Sequence, residues 1–302
     1  MGLLDWLIVR GLPLVPKPVV GRVARRYVAG QRLDDALATV EKLSGEGAMA
    51  TLDLLGEEVR ESDRALAAAA EYERMLAAIA ERALPANISV KPTSLGLKID
   101  PDFFRDNLER LLVAARARQN FVRVDMEDAS TTTPTLAVFR DLQARHGNVG
   151  VVLQAYLRRT LADVDELPRA GANVRLCKGI YVEPREIAYK GYETVRRNFL
   201  AVLEKLLARG AYVAIATHDD DLVCGALGLL DRLRVPRDRY EFQMLLGVDP
   251  ELRRVLIRAG HRLRVYVPYG RDWYAYSVRR LRENPQVGRH VLRGVLAGRG
   301  AR

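Results

Sequence analysis

Eight short β-rich runs alternate with longer helical stretches along the chain, and no other feature of its 302 residues constrains the fold as strongly. Strands that alternate with helices form parallel sheets, because each helix carries the chain back to the start of the next strand. The runs are AMATLDLL (48–55), NISVK (87–91), FVRVDM (121–126), VGVVLQAY (149–156), NVRLCK (173–178), YVAIATH (212–218), YEFQMLL (240–246) and RLRVYV (262–267). Eight such units predict an α/β protein with a closed (βα)8 barrel of the TIM type.

The segments between these runs have helical periodicity. Residues 58–83 are rich in alanine and place apolar side chains three and four positions apart. Residues 106–119 and 197–210 follow the same pattern, and the second segment ends at Gly210, a residue type common at helix C-termini. An open dinucleotide-binding sheet would need a GxGxxG turn after the first strand, and none follows LDLL. The closed barrel is therefore the favoured fold.

We predict an N-terminal helical extension over residues 1–44, one barrel domain over residues 45–286 and a flexible C-terminal tail over residues 287–302. Residues 2–26 are apolar but are interrupted by charged residues and prolines, and they lack the basic start and small-residue cleavage site of a signal peptide. Two interpretations stay open for them. They form helices that cover the barrel, which we favour because apolar helix faces are usually buried, or they touch a membrane surface.

Composition limits the cellular setting and the partners. No apolar run reaches the roughly 18 residues that span a bilayer. Two cysteines cannot form a disulfide framework, so we expect a cytoplasmic protein, with peripheral contact at the inner membrane face left open. The net charge of +10 comes mostly from arginines scattered along helical stretches. Because no zinc-finger spacing or basic zipper accompanies this charge, we expect a solvated basic surface and no nucleic-acid partner.

Polar residues occupy most of the predicted strand ends, where (βα)8 barrels place their active sites. They are Lys91, Asp125, Glu127, Gln154, Arg175, Lys178, Thr217, His218 and Tyr266. Only four histidines are present, with no HxH pair, and no serine stands in a GxSxG motif, so we expect neither a catalytic metal nor a serine nucleophile. What remains is a cation-rich mouth suited to a carboxylate or a phosphate.

The segment PYGRDWYAYSVRRLRENP (268–285) follows the last strand and predicts a turn and then a helix. Tyr276 precedes Arg279 by three positions and Arg280 by four, so the three side chains share one helical face. We predict that this C-terminal helix closes over the active site and that both arginines reach a ligand. A basic surface patch is the alternative.

Taken together, these motifs resemble the proline dehydrogenase family, in particular its short bacterial monofunctional members and the corresponding domain of the proline utilization A proteins. The markers lie between about residue 45 and residue 286. They are SVKPTSLG, VRVDMEDA, VLQAYLRRT, VRLCKGIYVEP, IATHDDDL, YEFQMLLG and RVYVPYG followed by YSVRRLREN. The resemblance implies a flavin enzyme that oxidises L-proline to Δ1-pyrroline-5-carboxylate by hydride transfer to FAD. It also implies that the electrons pass to a quinone, as the first step of proline catabolism to glutamate.

The resemblance implies a role for each matching position. Lys91, Arg279 and Arg280 would bind the proline carboxylate. Asp125 would anchor these cations and Arg175 would lie beside the flavin N5, which makes these two the expected catalytic residues. FAD would contact Met126, Gln154, Arg175, Lys178, Gly179, Ile180, Thr217 and His218. The apolar ring of proline would pack against Leu245 and Tyr276, with Tyr266 nearby.

Two other functions remain as alternatives. A barrel aldolase would use Lys178 or Lys91 as a Schiff base, but it would not explain the arginine pair after the last strand. A protein that binds nucleic acid or a membrane surface would account for the charge of +10 and would show steep salt dependence. A separate pyrroline-5-carboxylate dehydrogenase that receives the product, and a transient membrane association, stay open as partners.

Overall fold

Eight parallel strands pair in chain order and close into a barrel in the computed structural model, which describes residues 26–169, 171–274 and 276–277. The strands are β1 Met49–Leu54, β2 Ala86–Val90, β3 Val122–Val124, β4 Val149–Gln154, β5 Asn173–Cys177, β6 Tyr212–Ala216, β7 Tyr240–Leu245 and β8 Leu263–Tyr269. Strand β8 pairs with β1, so the sheet has no open edge. Each strand overlaps one of the eight predicted runs, which confirms the (βα)8 fold.

Helices surround the barrel. They are α1 Leu33–Gly45, α2 Ser62–Glu81, α3 Pro101–Arg116, α4 Ala129–His146, α5 Thr160–Asp165, α6 Tyr192–Ala208, α7 Asp220–Arg232 and α8 Pro250–Arg258. Local sequence sets several of their ends: the Asp100 side chain accepts hydrogen bonds from the backbone at the start of α3, and Asp128 does the same for α4. Within the described ranges, none of the helices combines the length and the apolar character needed to cross a membrane.

Helix α1 precedes the barrel in the chain but packs into its wall. It lies against β1 and β8 and buries Leu37 and Val40. This position lies between the last strand and the first, where a helix after β8 would lie in a regular (βα)8 barrel. The later part of the predicted extension therefore covers the barrel. Residues 1–25 and the predicted tail lie outside the described residues.

The interior of the barrel is unusually polar. In most (βα)8 barrels, branched aliphatic side chains fill the inside. Here Arg123, Glu241 and Arg264 are all buried inside the barrel, and we call these three side chains the lower layer. Arg264 Nε lies 2.8 Å from Glu241 Oε1, and the Tyr212 hydroxyl donates to Glu241 Oε2 at 3.0 Å.

The surrounding charges decide the ionisation of this layer. Burial alone would raise the pKa of Glu241, but the arginines, Arg264 first, lower it to about 2. Burial and the positive charge of Arg175 lower the pKa of Arg123 to about 9. The carboxylate of Glu241 is thus ionised at neutral pH and compensates cations that are largely buried.

We expect Glu241→Gln to lower the free energy of unfolding by about 3–5 kcal/mol, because it leaves buried arginines without their counter-charge. Urea denaturation at neutral pH measures this difference. The control is Glu204→Gln, which breaks an exposed ion pair with Arg232 and is expected to cost less than about 1 kcal/mol. Equal effects of the two substitutions would contradict the assignment of Glu241 as the counter-ion of the lower layer.

Candidate active site

A cavity of about 680 Å³ opens at the carboxyl ends of the strands. All thirteen predicted site residues that the structure describes line it. They are Lys91, Asp125, Met126, Gln154, Arg175, Lys178, Gly179, Ile180, Thr217, His218, Leu245, Tyr266 and Tyr276. The two remaining predicted residues, Arg279 and Arg280, lie outside the described residues, as does the predicted closing helix beyond Ser277. Residues from distant strands thus meet at one end of the barrel.

Asp125, at the end of β3, is the centre of the hydrogen bonding in this cavity. Its Oδ1 accepts from Arg175 Nη1 at 2.6 Å and from Ser89 Oγ at 2.7 Å, and its Oδ2 accepts from the Tyr266 hydroxyl at 2.8 Å. Burial tends to raise the pKa of Asp125, but the positive charges of Arg175 and Lys91 hold it below its ordinary value. Asp125 is therefore a carboxylate stabilised by three hydrogen-bond donors and by the nearby charge of Lys91.

Arg175, on β5, is held by more than this ion pair. Its Nε donates to Gln243 Oε1 at 2.6 Å, and its guanidinium carbon lies 5.1 Å from the centre of the Tyr266 ring. Its Nη2 is buried and has no hydrogen-bond partner among the described residues. A buried guanidinium donor is costly without an acceptor. The cavity wall is therefore suited to a ligand that carries an acceptor atom or a negative charge.

Lys91 forms a buried ion pair with Asp53 of β1. Burial alone would lower the pKa of Lys91, but the negative charges of Asp53 and Asp125 raise it overall, so Lys91 stays a cation. Asp53 was not predicted as a site residue because it lies inside an apolar strand run rather than at its end. The available signal was a charged residue on the face of β1 that alternation directs into the barrel.

Lys178 belongs to a second polar cluster at the mouth of the cavity. Asp219 accepts from Lys178 Nζ at 3.1 Å, from the Tyr192 hydroxyl at 2.6 Å and from Arg196 Nη2 at 2.6 Å. Despite partial burial, these donors, with Arg196 and Tyr192 first, hold the pKa of Asp219 well below its ordinary value. Asp219 was not predicted as a site residue, because it stands in IATHDDDL among residues typical of a helix start.

Two residues that line the cavity, Gly179 and His218, are in close contact with their neighbours. Gly179 has φ of +100°, and a Cβ at this position would overlap the ring of Tyr156, 2.7 Å from its Cγ. Only glycine allows the chain to pass this ring. His218 Nε2 accepts the backbone N–H of Leu245 at 2.8 Å, so this nitrogen carries no proton.

The family model described as proline dehydrogenase matches residues 36–292. The chain belongs to the proline dehydrogenase family. Proline dehydrogenase 1 of Bacillus subtilis (strain 168) is 37% identical over 273 residues, which cover 90% of each chain. The proline dehydrogenase of Deinococcus radiodurans is 34% identical over 281 residues, which cover 91% of each.

A solved structure supports the same assignment. The chain superposes on proline utilization A of Bdellovibrio bacteriovorus, inactivated by N-propargylglycine, with a TM-score of 0.80 and 26% identity. The match covers 86% of this chain and 32% of that chain, so this proline dehydrogenase family member corresponds to about a third of the longer protein. The resemblance inferred from the sequence motifs and the barrel fold are both confirmed.

Glu127, in the cavity wall, makes the free energy of unfolding depend on pH. Its carboxylate accepts from the Thr93 backbone N–H at 2.8 Å and from the Thr93 hydroxyl at 2.6 Å. Burial raises the pKa of Glu127 to about 7, although both contacts with Thr93 oppose this rise. The folded protein then binds a proton that the unfolded chain releases near pH 4.5. Stability from this group is present at low pH and is lost as pH rises through about 7.

We expect the free energy of unfolding of the wild type to fall between pH 4.5 and 7 by about 3 kcal/mol more than that of Glu127→Gln. Glutamine retains an acceptor for Thr93 but does not titrate. Urea denaturation at several pH values measures both slopes, and Glu204→Gln, on the surface, should keep the slope of the wild type. Parallel slopes for the wild type and Glu127→Gln would show that Glu127 is ionised throughout this range.

Proposed function

We propose that this protein oxidises L-proline to Δ1-pyrroline-5-carboxylate with bound FAD and that a quinone receives the electrons. This would be the first step of proline catabolism to glutamate. The observation that carries the proposal is the buried Arg175 donor that has no hydrogen-bond partner among the described residues, in a cavity that combines cations with aromatic walls. We further propose a cytoplasmic setting with transient contact to a membrane surface or to a separate pyrroline-5-carboxylate dehydrogenase.

The residues of the cavity fit a flavin. Its volume of about 680 Å³ lies within the range of cofactor pockets, roughly 300–1,000 Å³. Arg175 Nη2, which has no partner among the described residues, suits the acceptor atoms of an isoalloxazine ring. Gly179 has no side chain, so a ligand can approach its backbone closely. The proposed FAD contacts are Met126, Gln154, Arg175, Lys178, Gly179, Ile180, Thr217 and His218. When bound, the flavin supplies the hydride acceptor for the ring carbon next to the proline nitrogen.

Lys91 is the proposed partner of the substrate carboxylate, together with Arg279 and Arg280, which lie outside the described residues. Asp53 holds the ammonium of Lys91 in place and keeps it charged. A charge-assisted contact of this kind contributes about 1.5–3 kcal/mol. The apolar ring of proline would lie against Leu245, Tyr266 and Tyr276, which exclude water from the reacting carbon.

The surrounding charges also act on the protonation state of the substrate nitrogen. Hydride loss requires a neutral nitrogen, because its lone pair must form the C=N bond of the product. The positive charges of Arg175 and Lys91 disfavour a further cation beside them and so favour release of the ammonium proton, whereas Asp125 and Asp53, which pair with them, act in the opposite direction. Arg175 also places a fixed positive charge where transfer of a hydride adds negative charge. Asp125 fixes this geometry through its ion pair with Arg175.

The test is the visible spectrum of the purified protein before and after anaerobic addition of L-proline. We expect a flavin spectrum that bleaches with L-proline but not with D-proline or glycine. A flavin that stays oxidised would remove proline as the substrate. A colourless protein that does not take up FAD, and that borohydride inactivates with a carbonyl substrate, would favour the aldolase alternative.

We expect Arg175→Met to slow the anaerobic reduction by L-proline by about 100–1,000-fold, the range for the loss of one fixed charge-stabilising donor. Rapid mixing with absorbance detection measures the rate. The control is Arg110→Met, since Arg110 is exposed and pairs with Glu73 on the outside of the barrel. Equal reduction rates in the wild type and Arg175→Met would exclude Arg175 from charge stabilisation.

A further inference from the structure

Residues 26–31, just before the barrel, form a segment that we call the strap. It is tied to the loop after β7, to the last residues of β8 and to Gly270, which follows β8, at the cavity end of the barrel. Arg26 Nε donates to the carbonyl of Gly247 at 3.0 Å. The backbone N–H of Ala29 donates to Pro268 at 2.9 Å, and that of Gly270 donates to Gly30 at 3.0 Å. These hydrogen bonds join parts of the chain that lie at opposite ends of the described sequence.

The strap contributes side chains to the site. Tyr27 lines the cavity and is almost fully buried. Its neighbour Val28 packs with Leu55 and Tyr276, with Trp273 at the edge of the cluster. The strap therefore lies on the side of the cavity formed by β7, β8 and β1.

This is the side of the proposed substrate walls. Leu245 ends β7 and Tyr266 belongs to β8. The proposed flavin contacts lie elsewhere: Gln154 ends β4, Lys178 follows β5 and Thr217 follows β6. Tyr27 thus lies nearer in the fold to the groups proposed to surround the proline ring than to those proposed to hold the cofactor.

The contact between the strap and the loop after β7 is too close for any side chain other than that of glycine. Gly247 has φ of +74°, and a Cβ there would overlap the carbonyl oxygen of Arg26 and lie 2.8 Å from its carbonyl carbon. Backbone packed this closely has little freedom to move away without breaking the Arg26 hydrogen bond. The position of Tyr27 is therefore fixed by the fold.

We propose that Tyr27 is a substrate-contacting residue that closes the ring end of the site and limits the size of the ring that the enzyme accepts. This inference rests on the proposed function. Leu245, Tyr266 and Tyr276 give the cavity apolar walls, and the ring of Tyr27 adds another from outside the barrel. In a closed apolar pocket, one additional methylene changes kcat/KM by roughly 10–200-fold. An opened pocket loses this discrimination.

The experiment uses the flavin-loaded full chain and two substrates, L-proline and L-pipecolate, whose ring is larger by one methylene. Anaerobic rapid mixing gives the apparent Kd and the limiting rate of flavin reduction for each. In Tyr27→Ala we expect the apparent Kd of L-proline to rise about tenfold, with a smaller change in the limiting rate. We expect the preference for L-proline over L-pipecolate to fall by about tenfold. Tyr27→Phe keeps the ring and should restore both values.

A pair of glycine substitutions tests the same idea without touching Tyr27. Gly247→Ala forces the strap away from the loop after β7, so it should reproduce the weaker binding of L-proline and the weaker discrimination. Gly210→Ala is the matched control, because Gly210 has φ of +75° but a Cβ there meets nothing within 4 Å. Both variants carry the same backbone strain, and only the first moves the strap. Thermal unfolding and flavin absorbance establish that each variant is folded.

The outcomes separate the two proposals. A wild type that L-proline does not reduce overturns the proposed function and the strap proposal with it. A wild type that is reduced, with Tyr27→Ala and Gly247→Ala retaining its apparent Kd and its discrimination, overturns the strap proposal alone. Should Tyr27→Ala not fold, Tyr27→Leu and the Gly247→Ala and Gly210→Ala pair give the same decision.

Discussion

The ion pair between Asp125 and Arg175 is the contact around which the inside of the barrel is arranged. It joins β3 to β5, and Ser89 of β2 and Tyr266 of β8 donate to the same carboxylate. An ionised group buried without partners costs several kcal/mol. The four side chains are therefore held in place, because the buried carboxylate needs the charge of Arg175 and the hydrogen bonds of Ser89 and Tyr266. Their positions determine the shape of the cavity.

The orientation of groups at the mouth is decided one layer deeper. Gln243 Nε2 donates to Glu241 Oε1 at 2.5 Å, and the ionised carboxylate of Glu241 can only accept. The amide of Gln243 must then present its oxygen to Arg175 Nε. With Nη1 bonded to Asp125, the remaining donor, Nη2, has no partner among the described residues. Polar side chains thus fill the inside of this barrel, as aliphatic side chains do in other barrels. They also orient Arg175, the cation on which the proposed chemistry depends most.

Local pattern and long-range pairing explain what the sequence could and could not predict. Strand ends such as Lys91 and Asp125 were predictable because alternating apolar runs mark where each strand stops, and parallel strands stop at one face. Asp53 and Gln243 were missed because they lie within runs and their roles depend on partners 38 and 68 residues away. The contact between Arg26 and Gly247 spans 221 residues, so no local pattern records it.

The placement of α1 has a consequence for the open end of the barrel. Because α1 fills the groove between β8 and β1 from the N-terminal side, the chain after β8 is not required there as a wall helix. It turns instead at Gly270, bonded to the strap, and brings Tyr276 against Val28. The ring end of the cavity is therefore built by the two segments of the chain that precede β1 and follow β8. Substitutions in these segments therefore change its shape without touching the charged interior.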